Sequence, residues 1–339
     1  MFQAVEQESI NSFLDENAVL FDVRSPSEYL QGHIPRAINI PLFSDEERAK
    51  VGLCYKKESP EAAMNLGLEI VGPKLHFLVQ TCKENNPNSL PLKFYCWRGG
   101  LRSQSLAQVL AGMGITCSVL QNGYKAFRHH CLETLKNKRQ LRILGGMTGT
   151  GKTKILHALK KCGEQVLDLE ALAKHKGSVF GCNLKTPQPS CEQFENLTAS
   201  CLHKFSSDQD IWVEDESRLI GSCKIPDALY NTMKEAPLHL IERPFEERYT
   251  LLIEDYKGIP IETAKTMTNS LKKRLGPERT KDAIQAIDAR DSRLFIQIIL
   301  GYYDRCYKHS LEKRQRHINH FSQKGLNAEG WAELLRATI

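Results

Sequence analysis

Phe94-Tyr95-Cys96-Trp97-Arg98-Gly99-Gly100-Leu101-Arg102-Ser103 is the stretch from which the fold can be read. The run Leu92 to Tyr95 reads as a short buried strand, and it stops at a cysteine. A glycine-containing loop follows. Arg102-Ser103 then opens a helical pattern, with Leu106, Val109 and Leu110 on one face. A cysteine at a strand end, curled over by backbone N–H groups and flanked by Arg98 and Arg102, sits in positive potential. That environment favours the nucleophilic thiolate. Gly99 and Gly100 let the backbone approach an anion closely, and the helix start adds its dipole. The spacing Cys-x5-Arg-Ser between strand and helix reads as a reactive loop rather than a buried structural thiol.

Working outward, residues 18–23 read as a buried strand ending at Asp22, and Arg24 to Tyr29 as a helix with Ser25 or Ser27 as its cap. Gly32-His33-Ile34-Pro35 is a turn, and residues 37–40 form a second short strand. Asp22 and His33 read as a strand-end cap and a turn residue. Ser44 to Asn88 is a charged insert with one helix over residues 62–71. Beyond the cysteine loop, Cys117 to Leu120 is another strand, ending at Asn122-Gly123. Strands alternating with helices imply a parallel sheet and an α/β fold.

A length of 339 residues allows two ordinary domains. The 41% hydrophobic and 25% charged content is that of a globular chain, and the net charge of +6 is compatible with a polyanionic partner. No apolar run approaches the roughly 20 residues that span a bilayer. The N-terminus MFQAVEQESINSF lacks a basic region followed by an apolar one, so no secretory leader is expected. Eleven cysteines without a Cys-x-x-Cys pair argue against a disulfide framework and a zinc site. They fit a reducing compartment, so the expected location is cytoplasmic.

Residues 133–140 are charged, lack core residues and read as a linker. Leu141 to Leu144 is a strand running into Gly146-Met147-Thr148-Gly149-Thr150-Gly151-Lys152-Thr153, which fits G-x-x-x-x-G-K-[ST]. A helix from Lys154 puts Ile155, Leu156 and Leu159 on one side. The loop N–H groups point at a phosphate, Lys152 adds a point charge, and Thr153 is placed to hold a metal such as Mg2+. Two further strands end in acids, one at Asp168 and one at Glu214-Asp215-Glu216. Each acid reads either as a metal ligand or as a solvated strand end. No Asn-Lys-x-Asp motif is present, which disfavours a GTPase.

Between these strands, Asp168 to Gly181, Thr186 to Ser190 and Gln193 to Asn196 read as a long polar loop, because Pro187 and Pro189 preclude regular structure. His175 there is either a surface histidine or a catalyst. From Ile241 onward the pattern is helical, with one helix over about Asp282 to His309. Residues 240–320 hold 16 Lys and Arg against 12 Asp and Glu. Lys272, Lys273, Arg274, Arg279, Lys281, Lys308, Lys313, Arg314 and Arg316, with Tyr302, Tyr303 and Tyr307 among them, are either RNA contacts or a solvated helix face with core tyrosines. Trp97 is either a stacking platform for a base or a core indole.

Asp22-Val23-Arg24-x3-Glu28-Tyr29-x2-Gly32-His33-Ile34, the Cys96 loop and Leu120-x2-Gly123-Tyr124 together resemble a rhodanese domain over about residues 5–132. Domains of that family carry sulfur or selenium on the loop cysteine. With the P-loop, the Asp168 to Gly181 segment and Trp212-x-Glu214-x-Glu216-Ser217 added, essentially the whole chain resembles the bacterial tRNA 2-selenouridine synthases.

The resemblance implies an N-terminal rhodanese-like parallel-sheet domain (1–132), a linker (133–140), a P-loop NTPase-like α/β core (141–245) and a helical C-terminal region (246–339) that completes it and offers a tRNA surface. It implies a transferase acting on tRNA with 2-thiouridine at the wobble position. A geranyl group passes from geranyl diphosphate to the sulfur, and selenium from selenophosphate then replaces the S-geranyl group to give 2-selenouridine. Cys96 is the implied catalytic residue, and Trp97, Arg98, Gly99, Gly100 and Arg102 form the selenophosphate loop. Gly146, Gly149, Thr150, Gly151, Lys152 and Thr153 hold geranyl diphosphate. Asp168, His175, Glu214 and Glu216 are possible neighbours of that site, and Lys272, Lys273 and Arg274 are possible tRNA contacts. No tightly bound cofactor is expected, and Mg2+ is an option. The expected partners are tRNA and an enzyme supplying selenophosphate, not DNA or a membrane. The rival reading is an ATP-dependent tRNA sulfurtransferase with a Cys96 persulfide. A third, a nucleotide-regulated RNA-binding module, is disfavoured by the intact Cys96.

Overall fold

The computed structural model describes residues 5–14, 17–175, 187–312 and 317–338. The chain divides into two compact units, residues 1–134 with 190–200 and residues 135–189 with 201–339. Each is built on a parallel sheet with helices.

In the first unit, β1 (Glu6–Glu8), β2 (Val19–Asp22), β3 (Ile38–Asn39), β4 (Leu92–Tyr95) and β5 (Cys117–Leu120) pair in the order β1-β5-β4-β2-β3. β1 escapes the sequence reading because Glu6-Gln7-Glu8 has no apolar side chain; it pairs along Ser118 to Leu120 at the sheet edge. The core is apolar and aromatic, with Phe21 and Phe94 stacked at 5.3 Å and Leu106, Leu110 and Val119 buried around them. The insert holds three helices rather than one, Asp45–Lys57, Pro60–Val71 and Leu75–Glu84. The first shows no apolar stripe, since only Cys54 is buried, so periodicity misses it. Local capping specifies it instead: Ser44 and Glu47 form a capping box.

At the end of β2, Asp22 and Arg24 form a fully buried ion pair at 2.6 Å. The Arg24 guanidinium also donates to the Gly32 carbonyl at 2.6 Å and lies 3.8 Å from the centre of the Tyr124 ring. The Tyr124 hydroxyl donates to Glu192 at 2.6 Å and accepts from the Asn196 amide at 2.8 Å. The His33 N–H donates to Gln193 at 2.7 Å. These partners sit on the helix Cys191–His203, which replaces part of the polar loop expected from Pro187 and Pro189. The prolines stop regular structure only as far as Ser190, whose hydroxyl accepts from the Gln193 N–H at 2.9 Å and starts the helix.

The helix Gly123–Lys136 follows β5 and runs through the first half of residues 133–140. Its Tyr124 and Lys125 N–H groups donate to the carbonyls of Cys96 and Trp97 at 2.8 and 3.1 Å. This closeness requires glycine twice. Gly99 has φ 65° and Gly123 has φ 57°. A Cβ on Gly123 would fall 2.3 Å from the Cys96 carbonyl oxygen and 2.4 Å from the Gly99 nitrogen.

In the second unit, β6 (Leu141–Gly146), β7 (Gln165–Leu167), β8 (Ile211–Glu214), β11 (Leu238–Ile241) and β12 (Ile318–Phe321) form a parallel sheet in the order β12-β11-β6-β8-β7. A separate antiparallel pair is made by β9 (Leu219–Ile220) and β10 (Cys223–Lys224). The helices Lys152–Lys161 and Ala328–Ala337 bury Ile155, Leu156, Leu159, Trp331 and Leu335 against Leu144, Trp212 and Ile241. Within the helical C-terminal region, the short strand β12 adds to β11 in register with Leu238 to Ile241. The long helix expected over 282–309 is two helices, Pro277–Asp288 and Ser292–Glu312. Arg290 at φ 55° breaks the run, and the Asp291 carboxylate accepts from the Leu294 N–H at 2.9 Å to start the second helix. Among the described residues no helix is long and apolar enough to cross a membrane.

Gly123→Ala is expected to lower the urea unfolding midpoint of the protein. The left-handed φ alone penalises a side chain by about 1–2 kcal/mol, and the backbone contacts add to it. Gly100 has φ −95° and nothing within 4 Å of an added Cβ, so Gly100→Ala should leave the midpoint unchanged. Equal midpoints for both variants would show that the close approach at Gly123 is dispensable.

Candidate active-site loops

Cys96 closes β4 with only 3% of its surface exposed. The buried Ser103 hydroxyl, in the first turn of the helix Leu101–Gly112, donates to the Cys96 sulfur at 3.3 Å. The thiol in turn faces the Gly100 carbonyl at 3.8 Å. Ser103, the last residue of the Cys-x5-Arg-Ser spacing, is thus a direct partner of the sulfur. Arg102 pairs with Glu28 at 3.2 Å, and Arg48 lies 3.5 Å from the same carboxylate. Burial opposes ionisation of Glu28, but Arg102, the Ser25 N–H and Arg48 together hold it below the usual carboxylate range. Part of the positive potential expected around Cys96 is therefore already matched. Trp97 is 40% exposed, with its ring 5.7 Å from that of Tyr124, so it is not a core indole. Arg98 is exposed. Burial pushes the thiols of Cys82, Cys117 and Cys131 up to about 12, which keeps them protonated and inert.

In the second unit, Gly146, Gly149, Thr150 and Gly151 form the turn from β6 into the helix Lys152–Lys161. Thr150 is buried and donates to the Met147 carbonyl at 2.8 Å, a bond internal to the loop. Lys152 donates to the Gly146 carbonyl at 3.0 Å and lies 3.4 Å from Glu214. β8 pairs directly with β6, and that adjacency brings Glu214 to the lysine. Thr153 donates alternatively to Glu214 at 3.2 Å or Glu170 at 3.3 Å. Oxygens of Glu170, Glu214 and Glu216 all lie within 4.8 Å of one another.

The charge balance of this cluster is uneven. Burial, then repulsion from Glu214, pushes Glu170 up to about 8. Burial also raises Glu214, against the pull of Lys152, and raises Glu216 well above the usual range with help from Glu214 and Glu170. Burial disfavours the Lys152 ammonium, but Glu214, Glu216, Glu170 and Asp215 outweigh it and raise its pKa. Three carboxylates facing one ammonium, with a threonine hydroxyl beside them, form the oxygen-rich set that suits a hard divalent cation. Thr153, Glu170, Glu214 and Glu216 would hold it.

Asp168 is engaged elsewhere: it caps the helix Leu169–Leu172 through the Ala171 N–H and pairs with His157, both at 2.9 Å. Glu170, two residues on, reaches the cluster instead. His175 donates its N–H to the Glu170 carbonyl at 3.0 Å, and burial lowers its imidazole pKa, which favours the neutral ring. Other members of the preceding segment, Gly177, Ser178, Phe180, Gly181 and Thr186, lie outside the described residues, as do Lys313, Arg314 and Arg316.

The P-loop is braced by residues that local patterning does not mark. Arg248 donates to the Thr148 carbonyl at 2.9 Å and forms a two-pronged pair with Asp304 at 2.8 and 2.6 Å. The Tyr307 hydroxyl accepts from the Gly146 N–H at 3.0 Å and donates to Asp215 at 2.9 Å. Tyr307 thus serves the P-loop, and Tyr302 and Tyr303, 5.2 Å apart, pack against the helical core. Lys272, Lys273 and Arg274 are exposed on the short helix Lys272–Leu275, between buried Leu271 and Leu275.

A family profile described as "tRNA 2-selenouridine synthase AAA domain" matches residues 139–334, and "Rhodanese-like domain" matches residues 6–130. The chain is 33% identical to the tRNA 2-selenouridine synthase of Marinobacter nauticus, over 91% of this chain and 92% of that one. The chain belongs to the tRNA 2-selenouridine synthase family. Relatives carrying the same name in Shewanella denitrificans and Hydrogenovibrio crunogenus are 34% and 35% identical, over 94% and 90% of this chain and 94% and 92% of theirs. Both loops described above lie inside the matched regions of this tRNA 2-selenouridine synthase family member.

The raised acids make a pH prediction. Glu170 ionises at about 8 in the folded protein against an ordinary 4.5. A carboxyl raised in this way contributes stability that is fully present below the ordinary pKa and is lost as pH rises through the folded one. Glu170→Gln, which mimics the protonated acid, should melt near the wild-type temperature at pH 5 and above it at pH 8.5. Magnesium ion should narrow that gap at pH 8.5 by stabilising the wild type selectively. A melting difference that stays constant with pH would mean that Glu170 is not strained by its neighbours.

Proposed function

We propose that the chain is a transferase that converts 2-thiouridine at the wobble position of tRNA into 2-selenouridine in two steps. The observation that carries this reading is the likeness over nine-tenths of both chains, with Cys96 directly after its strand and Lys152-Thr153 opening the helix that follows the P-loop. In the first step, the P-loop N–H groups and Lys152 receive the diphosphate of geranyl diphosphate. The nucleobase sulfur attacks the allylic carbon, and diphosphate leaves. A divalent cation at Thr153 and the acidic cluster would supply charge neutralisation of that leaving group. Lys152 is already aimed along the loop by the Gly146 carbonyl and Glu214, so it needs only to exchange one oxygen for another.

In the second step, selenophosphate binds the loop of Cys96, Gly99, Gly100 and Arg102. Selenium attacks C2 of the base, geranyl thiol leaves, and loss of the phosphoryl group to water gives 2-selenouridine. Prior alkylation makes chemical sense, because an alkylated sulfur departs as a thiol whereas a thiocarbonyl sulfur is a poor leaving group. Open space over Gly100 leaves room for an anion beside the sulfur. The exposed Lys272, Lys273 and Arg274 offer phosphate contacts for tRNA.

Binding geranyl diphosphate, ATP and GTP to the pure protein tests the donor directly. Lys152→Ala should weaken geranyl transfer by roughly ten- to over a hundredfold, because a charge-assisted phosphate contact contributes about 1.5–3 kcal/mol. Unchanged affinity and rate for that variant, or tight ATP binding with no geranyl diphosphate binding, would remove the P-loop as the donor site.

Cys96→Ser should stop selenium incorporation while S-geranylated tRNA accumulates, as read by mass spectrometry of the nucleosides. Loss of both products with tRNA binding intact would show that the two steps do not divide between the loops as stated.

A further inference from the structure

The first unit carries an open cleft of about 590 Å³ beside the cysteine loop. Arg98 and Asn122 line it from two loops, Ile10 from the N-terminal segment, and Lys125, His129 and Glu133 from one face of the helix Gly123–Lys136. The four-residue spacing of those last three stacks them along the helix. Cys96, Trp97, Gly99 and Gly100 are not part of its wall.

Arg98 and Lys125 are exposed, and among the described residues neither makes an ion pair. Glu133 lies eight residues from Lys125, about 12 Å along the helix at 1.5 Å per residue. The Arg98 and Lys125 end of the cleft is therefore cationic. The Lys125 N–H donates to the Trp97 carbonyl at 3.1 Å, and the Tyr124 N–H to the Cys96 carbonyl at 2.8 Å. The two cations are thus tied by backbone bonds to the same loop that carries the nucleophile. Trp97 immediately precedes Arg98 in the chain, with 40% of its surface exposed. An exposed aromatic plane next to unpaired cations is the chemistry that recognises single-stranded RNA, the base by stacking and the backbone by charge.

We propose that this cleft seats a backbone phosphate of the RNA substrate through Arg98 and Lys125, with Trp97 as the plane for an unstacked base. The inference rests on the reading that tRNA is the substrate. It assigns Arg98 to positioning RNA rather than to holding selenophosphate. A phosphate delivering selenium must approach the Cys96 sulfur, whereas an RNA phosphate belongs at a fixed offset from it. The cleft is also much larger than one free phosphate and open along the helix face.

The test uses the full chain and an anticodon stem-loop RNA bearing 2-thiouridine, with dissociation constants measured across a salt series. Arg98→Gln and Lys125→Gln should each flatten the dependence of log affinity on log salt by about 0.7–0.9. Together they should weaken binding by about tenfold at moderate salt. Lys125→Arg should bind like the wild type. Trp212 and Trp331 are buried, at 2% and 0% exposure, so quenching of tryptophan emission by RNA should report Trp97 and vanish in Trp97→Phe. Inorganic phosphate alone should not quench it. Glutamine variants that keep the wild-type affinity and salt slope would overturn the proposal. So would a Lys125→Gln variant whose KM for selenophosphate rises while its RNA affinity does not change, since the cleft would then serve the free donor. A wild-type protein that fails to bind the RNA at all would sink the tRNA reading itself, and that result is visible before any variant is made.

Discussion

The N–H groups of Tyr124 and Lys125 donate to the carbonyls of Cys96 and Trp97, and much of the first unit is arranged around those two bonds. They join the turn after β5 to the loop after β4, with Gly123 and Gly99 in contact where any side chain would intrude. The helix that begins there carries Tyr124, whose ring faces the Arg24 guanidinium and whose hydroxyl meets Glu192 and Asn196. A buried ion pair is stable only when its remaining donors and acceptors are satisfied. Asp22 and Arg24 meet that condition through the Arg24 N–H, the Gly32 carbonyl and the tyrosine face. The loop cysteine is therefore held by backbone and by a buried polar cluster, not by contacts of its own side chain beyond Ser103 and Gly100.

The second unit solves a different problem. Its P-loop collects acids from Glu170, Glu214 and Glu216 around one lysine. Their burial makes the ionised forms unfavourable, and that imbalance creates affinity for further positive charge. The bracing of the loop comes from the helix Ser292–Glu312, whose Asp304 fixes Arg248 and whose Tyr307 bridges Gly146 to Asp215. The helical C-terminal residues thus support the phosphate loop structurally, whatever else their exposed face binds.

The two strand–loop–helix segments were legible because each is contiguous: β4 with its cysteine loop, and β6 with its glycines and Lys152. Their neighbours were legible only in part. β1 has no apolar residue to reveal it, and it exists because β5 leaves an edge to pair with. The helix Asp45–Lys57 lacks a buried stripe and is set by its cap. Glu170 and Asp168 both follow β7, and only the three-dimensional path decides that Glu170 turns inward. Arg248 and Asp304 stand 56 residues apart, and nothing near either announces the pair. Trp97 follows the cysteine in a loop, where no periodicity separates an exposed ring from a core indole; its exposure decides.

The placement of Ser190–Ser200 with the first unit has a consequence for biosynthesis. Tyr124 meets Glu192 across 68 positions of sequence, and His33 meets Gln193 across 160. On the ribosome, domains generally fold as units with the N-terminal one first. Here the nascent first unit emerges with Asn196 and Gln193 still unsynthesised, so its polar cluster around Tyr124 and His33 is incomplete. The P-loop, at residues 146–153, leaves the exit tunnel before the first unit can close. The two units are therefore interleaved in time as well as in sequence. The contacts of Tyr124 and His33 with the helix Cys191–His203 can form only once that helix has been made, after the P-loop.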